Sequence, residues 1–150
     1  MEHRAEARID LIALASNIST LKAASNVDLL AVVKADAYGH GLVEIGLAAQ
    51  KNGADWLGVA LLEEAISLRT HGVRIPILAW LVPPGSDFDS AAKHDIDVAV
   101  ASLVTLKEIS KLPNKPRIHI EVDTGMTRGG FLDEWDELLK ADFSKVEVVG

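Results

Sequence analysis

Residues 29–51 read LLAVVKADAYGHGLVEIGLAAQK. The segment opens with five apolar residues, breaks at Lys34 and a pair of glycines, and resumes at Leu42 with apolar side chains at helical spacing. A short buried strand, a glycine-bearing turn and an amphipathic helix make one βα unit. The alternation continues along the chain. Strands are predicted at residues 29–33, 56–60, 75–80, 96–100, 117–122 and 146–149, and helices at 42–51, 62–71, 86–94, 103–111 and 133–140. Ser102 reads as an N-cap, and Gly53 and Gly72 as C-caps.

Most of these strands are apolar on both faces, the pattern of parallel strands covered by helices, so the class is α/β. No Asn-Gly or similar reversal joins adjacent strands. An open doubly wound sheet and a (β/α)8 barrel, which typically needs about 250 residues, both fit this period. Upstream, residues 5–10 are predicted as a short strand and 11–24 as a helix presenting Leu11, Leu14, Ile18 and Leu21 on one face. No linker or low-complexity tract divides the chain.

Of the 150 residues, 49% are hydrophobic and 25% charged, a balance that builds a folded core and excludes a disordered chain. Fifteen basic against 22 acidic residues leave a net charge of −7, and no run of Lys and Arg interrupts it, so nucleic acid is not an expected partner. The absence of Cys removes disulfides, Cys-ligated zinc and thiol catalysis. The longest apolar stretch, residues 75–84, is far short of the roughly 18 residues a spanning helix needs. Met1-Glu2-His3-Arg4 does not lead into a secretory segment. No membrane partner is expected, and the expected compartment is the cytoplasm.

Lys34 directly follows a buried strand, the position at which barrel active sites form. A desolvated amine gives up its proton more readily, and a neutral amine condenses with an aldehyde. Tyr38 is the one tyrosine, and Gly39 and Gly41 flank His40 ahead of a helix, so backbone amides and a phenol are available to an anion. His40 by itself reads as a surface or capping residue. The five histidines lack paired metal-ligand spacing, and His94-Asp95-Ile96-Asp97 reads as a charged turn entering a strand. Trp56, Trp80 and Trp135 are too scattered for a stacking platform. Glu63 and Glu64 suit a helix's first turn and are given no catalytic role.

Residues 31–41, AVVKADAYGHG, closely resemble the pyridoxal-phosphate signature of the bacterial alanine racemase family. The resemblance extends through Ala7-Arg8-Ile9-Asp10-Leu11, Gly58-Val59-Ala60-Leu61-Leu62-Glu63-Glu64-Ala65 and Asp123-Thr124-Gly125-Met126-Thr127-Arg128-Gly129-Gly130. It implies a (β/α)8 barrel of the alanine racemase type, with pyridoxal 5'-phosphate joined through its aldehyde carbon to Lys34, which then serves as the base at the Cα of L- or D-alanine. Tyr38 matches the tyrosine that hydrogen-bonds the cofactor phosphate. Arg128 matches the arginine that holds the substrate carboxylate and the cofactor's phenolic edge. Glu121 departs from the pattern, standing where many members carry a carbamylated lysine. It is expected to supply the same negative charge toward Arg128, directly or through a water.

The resemblance also implies a second acid–base tyrosine contributed across a homodimer interface. Tyr38 is already matched to the phosphate, so that group is not in this sequence. The chain is therefore expected to be the amino-terminal portion of a racemase, stopping after about six strands without the rest of the barrel or a C-terminal β-domain. By itself it is expected to be inactive and to self-associate or fold poorly. A non-catalytic carrier of pyridoxal phosphate on the same barrel, a decarboxylase of related fold and an unrelated α/β scaffold are the competing readings. The Tyr-Gly-His-Gly run and the Thr-Gly-Met-x-Arg segment favour the racemase over these.

Overall fold

The computed structural model describes residues 5–150, and the reading of residues 1–4 lies outside them. Six parallel strands, β1 (Leu30–Val32), β2 (Trp56–Val59), β3 (Ile77–Ala79), β4 (Ile96–Val100), β5 (Arg117–Ile120) and β6 (Glu147–Val148), form one sheet. Their order is sequential, β1-β2-β3-β4-β5-β6. A doubly wound sheet reverses direction at an inner strand, and here every strand is added to the same edge. Right-handed crossovers repeated without reversal put the helices on a single face. This is the arrangement of a barrel wall.

The register divides the sheet into two unlike faces. Leu57, Ile77, Val98 and Ile118 share one face, all buried and joined in the core with Ile45, Ala49, Ala65, Leu68, Leu106 and Ile109 of the helices. Burying each such Val, Leu or Ile is worth roughly 1.5–3 kcal/mol. The opposite face carries Leu30, Trp56, Gly58, Leu78, Asp97 and His119, none of which belongs to that core. Gly58 is required there by a close approach. A Cβ at this position would lie 2.6 Å from Cζ3 of Trp80 and would strike Leu30 as well.

The helices are α1 (Leu11–Ser25), α2 (Lys34–Gly39), α3 (Leu42–Lys51), α4 (Leu62–Thr70), α5 (Phe88–Lys93), α6 (Leu103–Ile109) and α7 (Trp135–Leu138). Ser102 caps α6 through Thr105 N–H as expected, and Gly53 and Gly72 stand one residue beyond the caps of α3 and α4 with positive φ. Residues 5–10 form no strand. That segment is exposed, and Asp10 instead caps α1, its Oδ1 accepting the N–H groups of Ile12 and Ala13 at 2.8 and 3.0 Å. The expected apolar stripe on α1 is also narrower than predicted. Ile18 is buried and Leu14 partly so, whereas Leu11 and Leu21 are exposed. Asp55 fastens α1 to the sheet, because its carboxylate takes Lys22 Nζ on both oxygens (2.8 and 2.7 Å) and the N–H of Leu29.

Segment 34–39 is the element for which the sequence gives no warning. Ala35, Asp36, Ala37 and Tyr38 all have φ between 49° and 55° with ψ near 40–50°, so α2 coils left-handed. Left-handed coiling costs an L-residue roughly 1–2 kcal/mol per position, so tertiary contacts must hold this turn.

Candidate active site

Because all strands run the same way, their carboxyl ends share one edge. Lys34 follows β1 there, Leu61 follows β2, Trp80 follows β3, Ser102 follows β4 and Glu121 follows β5. The left-handed turn folds Tyr38 back over Lys34, placing Nζ 4.8 Å from the ring centroid. Lys34 is half-buried, and among the described residues its amine forms no ion pair. Tyr38 is 71% exposed, which leaves its hydroxyl accessible to a ligand.

The turn is laced by its own backbone and by Asp36. Ala37 N–H donates to Val33 O, Gly41 N–H to Asp36 O and His40 N–H to Ala37 O, while Asp36 Oδ1 accepts Leu42 N–H at 2.7 Å. The amides of His40, Gly41 and Leu42, which the sequence offered to an external anion, are therefore already used. His40 turns its Nδ1 to Ala37 O at 2.8 Å, a local capping contact.

A cavity of about 460 Å³ opens at the same edge, lined by Leu61, Trp80, Ser102, Thr105, Glu121 and Arg128 among others. Arg128 reaches it from a loop closed by Phe131 N–H to Glu121 O (2.8 Å) and Asp123 N–H to Phe131 O (3.1 Å). Asp123 shapes the loop by accepting Gly125 and Thr127 N–H groups, which hold its carboxyl below the ordinary carboxylate value. Glu121 and Arg128 thus share one cavity. They form no ion pair within 4.0 Å in the described structure, and Glu121 Oε1 lies against Gly129.

The structure gathers Lys34 with Tyr38, and Glu121 with Arg128, on one edge of the sheet. His94 and Asp97 part company, since His94 bonds Ser90 O while Asp97 points to Arg117 and His119. Sequence reasoning missed Glu64. It is half-buried, unlike Glu63, and its carboxylate collects three backbone N–H groups: Ala35 at 2.6 Å, Ala60 at 2.9 Å and Leu61 at 3.0 Å. Its place in the first turn of α4 was visible in the sequence. The contact to Ala35, 29 residues away, was not.

Residues 9–150 match the family model described as alanine racemase, N-terminal domain. The chain belongs to this family. It is 45% identical to the alanine racemase of Salinispora tropica and 45% identical to that of Thermobifida fusca, covering 98% and 87% of this chain. Among solved structures, the alanine racemase of Corynebacterium glutamicum superposes with a TM-score of 0.90 at 37% identity over 95% of the chain. The enzyme from the D-cycloserine producer Streptomyces lavendulae superposes with a TM-score of 0.84 at 41% identity over 87% of the chain. The chain spans 42% of the S. tropica racemase, 36% of the T. fusca racemase, 43% of the C. glutamicum chain and 36% of the S. lavendulae chain. In this alanine racemase N-terminal domain, an amine beside a phenol, and a guanidinium lining the cavity at the same edge of the sheet, are donors chemically suited to a ligand that carries both an aldehyde and anionic groups.

Proposed function

We propose that a full-length protein carrying this chain interconverts L- and D-alanine with pyridoxal 5'-phosphate held on Lys34. The observation that carries the reading is the Lys34 amine, free of ion pairs in the described structure, at the carboxyl end of β1 in a domain of this family. When bound, the cofactor supplies an electron sink for the charge left as Cα loses its proton. Lys34 Nζ is the atom that would hold it, and the same amine would serve as the base at Cα. The Tyr38 hydroxyl donates to the phosphate. Arg128 pairs with the substrate carboxylate, as a permanently charged, forked guanidinium does well, and Glu121 offers it a negative neighbour across the cavity.

Racemisation requires an acid–base group on each face of Cα, one to remove a proton and the other to deliver one. Tyr38 serves the phosphate, so the second group is assigned to a tyrosine outside this chain, contributed across a homodimer. The reading carries with it a cytoplasmic enzyme that supplies D-alanine for peptidoglycan. No described helix is long and apolar enough to cross a membrane.

The test is L-alanine incubated in deuterium oxide with the full-length protein and pyridoxal phosphate. D-alanine deuterated at Cα is expected, with kcat reduced by roughly 10²–10⁴ in Lys34→Ala, the range for removing a positioned base. Undiminished turnover in Lys34→Ala would overturn the assignment, and cofactor uptake without racemisation would favour the carrier.

A further inference from the structure

The lysine segment has an unusual anchorage. In a parallel ladder, N–H groups of one strand bond carbonyls of the next at every second residue. Val33 N–H donates to Gly58 O at 2.9 Å, so the next rung would run from Ala35 N–H to Ala60 O. That rung is missing because the chain leaves β1 into the left-handed turn, and Ala60 O accepts from Leu81 N–H instead. Ala35 N–H is taken by Glu64 Oε1, while Glu64 Oε2 holds the N–H groups of Ala60 and Leu61 at the end of β2. One carboxylate therefore replaces the ladder at the peptide that immediately follows Lys34.

We propose that Glu64 is a positioning residue for Lys34, a carboxylate staple that fixes the Lys34–Ala35 peptide against the end of β2 and so sets where the amine sits. The role rests on Lys34 being the cofactor-bearing amine. The contacts to Ala60 and Leu61 are local and serve α4 as any reach-back glutamate would. The contact to Ala35 is not local, and it requires both a second acceptor oxygen and the full length of the glutamate side chain. Glutamine keeps the length but has a single acceptor oxygen, so its NH2 must face one of the two sets of donors. Aspartate keeps the charge but is one methylene shorter.

The experiment uses the full-length protein with Glu64 intact and as Glu64→Gln, Glu64→Asp and Glu64→Ala. Pyridoxal phosphate attachment at Lys34 is followed by borohydride trapping and peptide mass spectrometry, together with amide exchange at Ala35, Leu61 and Val98. Attachment at least fivefold slower in Gln and Asp as well as Ala is expected, with faster exchange at Ala35 and unchanged exchange at Val98 in the centre of the sheet. Unchanged Val98 exchange separates displacement of the amine from loss of the fold. Attachment at the original rate in the Gln and Asp variants overturns the role of Glu64 while leaving Lys34 as the anchor. If the protein with Glu64 intact takes up no cofactor at Lys34, the proposed function fails and this role with it.

Discussion

Asp36 Oδ1 accepts the backbone N–H of Leu42 at 2.7 Å, so a left-handed turn and the right-handed helix after it share one side chain. Five successive positive-φ residues, Ala35 to Gly39, precede that helix, and Asp36 ties them to it through its carboxylate. Asp36→Ala is expected to destabilise the protein by about 1 kcal/mol, the usual cost of losing such a cap. Amide exchange at Leu42 should rise, and Asp36→Asn, which keeps an acceptor oxygen, should recover most of the loss. Denaturant unfolding of the full-length protein measures both.

Gly58 makes room for Trp80, which lines the cavity. Glycine is chosen here for its missing side chain in a filled space. Gly58→Ala would press a methyl group against the Trp80 ring and Leu30, and overpacking of this kind costs about 1–3 kcal/mol. Lower stability, together with a displaced Trp80 in the variant's structure, is the expected result.

Asp97 is buried on the face opposite the main core, with Arg117 Nε and Nη2 at 3.0 and 3.1 Å and His119 Nε2 at 3.3 Å. Burial pushes its carboxyl up, but the hydrogen bonds from His119 and Arg117 outweigh it and leave the group below the ordinary value of 3.8. The unfolded chain then binds the proton more readily than the folded one. The Asp97 contribution is therefore complete above the ordinary carboxylate range and is lost as pH falls through the lower folded value. Asp97→Ala should cost about 2 kcal/mol at neutral pH, as for hydrogen bonds to a charged group. Its loss of stability in acid should be shallower than that of the unaltered protein. Urea midpoints between pH 7 and pH 3 test the two slopes.

Glu121 and Arg128 face one cavity without touching. If Glu121 supplies the charge that elsewhere comes from a carbamylated lysine, Glu121→Gln in the full-length protein should raise KM for alanine several-fold while leaving the fold intact. Steady-state kinetics with circular dichroism decide it. Unchanged kcat and KM would remove Glu121 from the site.

The strands were legible because Val, Ile and Leu cluster in short runs, and β4 falls exactly as read, at Ile96–Val100. What sequence could not choose, barrel wall or doubly wound sheet, depends on strand order, a long-range property absent from any local pattern. Lys34, Tyr38, Glu121 and Arg128 were all visible as residue types in motifs, and the parallel sheet carries them to one edge. The left-handed turn was hidden because Ala-Asp-Ala-Tyr has no local reason to coil that way. Glu64 was hidden because its decisive partner is remote in sequence. Residues 5–10 misled because Ala, Ile and a final Asp imitate a strand end, while the Asp serves as a helix cap.

The central claim is that Lys34 carries the cofactor. Borohydride reduction of the full-length protein loaded with pyridoxal phosphate, followed by proteolysis and mass spectrometry, should find the pyridoxyl group on the peptide containing Lys34 and on no other lysine peptide. A label on a different lysine, or undiminished incorporation after Lys34→Ala, would contradict the account.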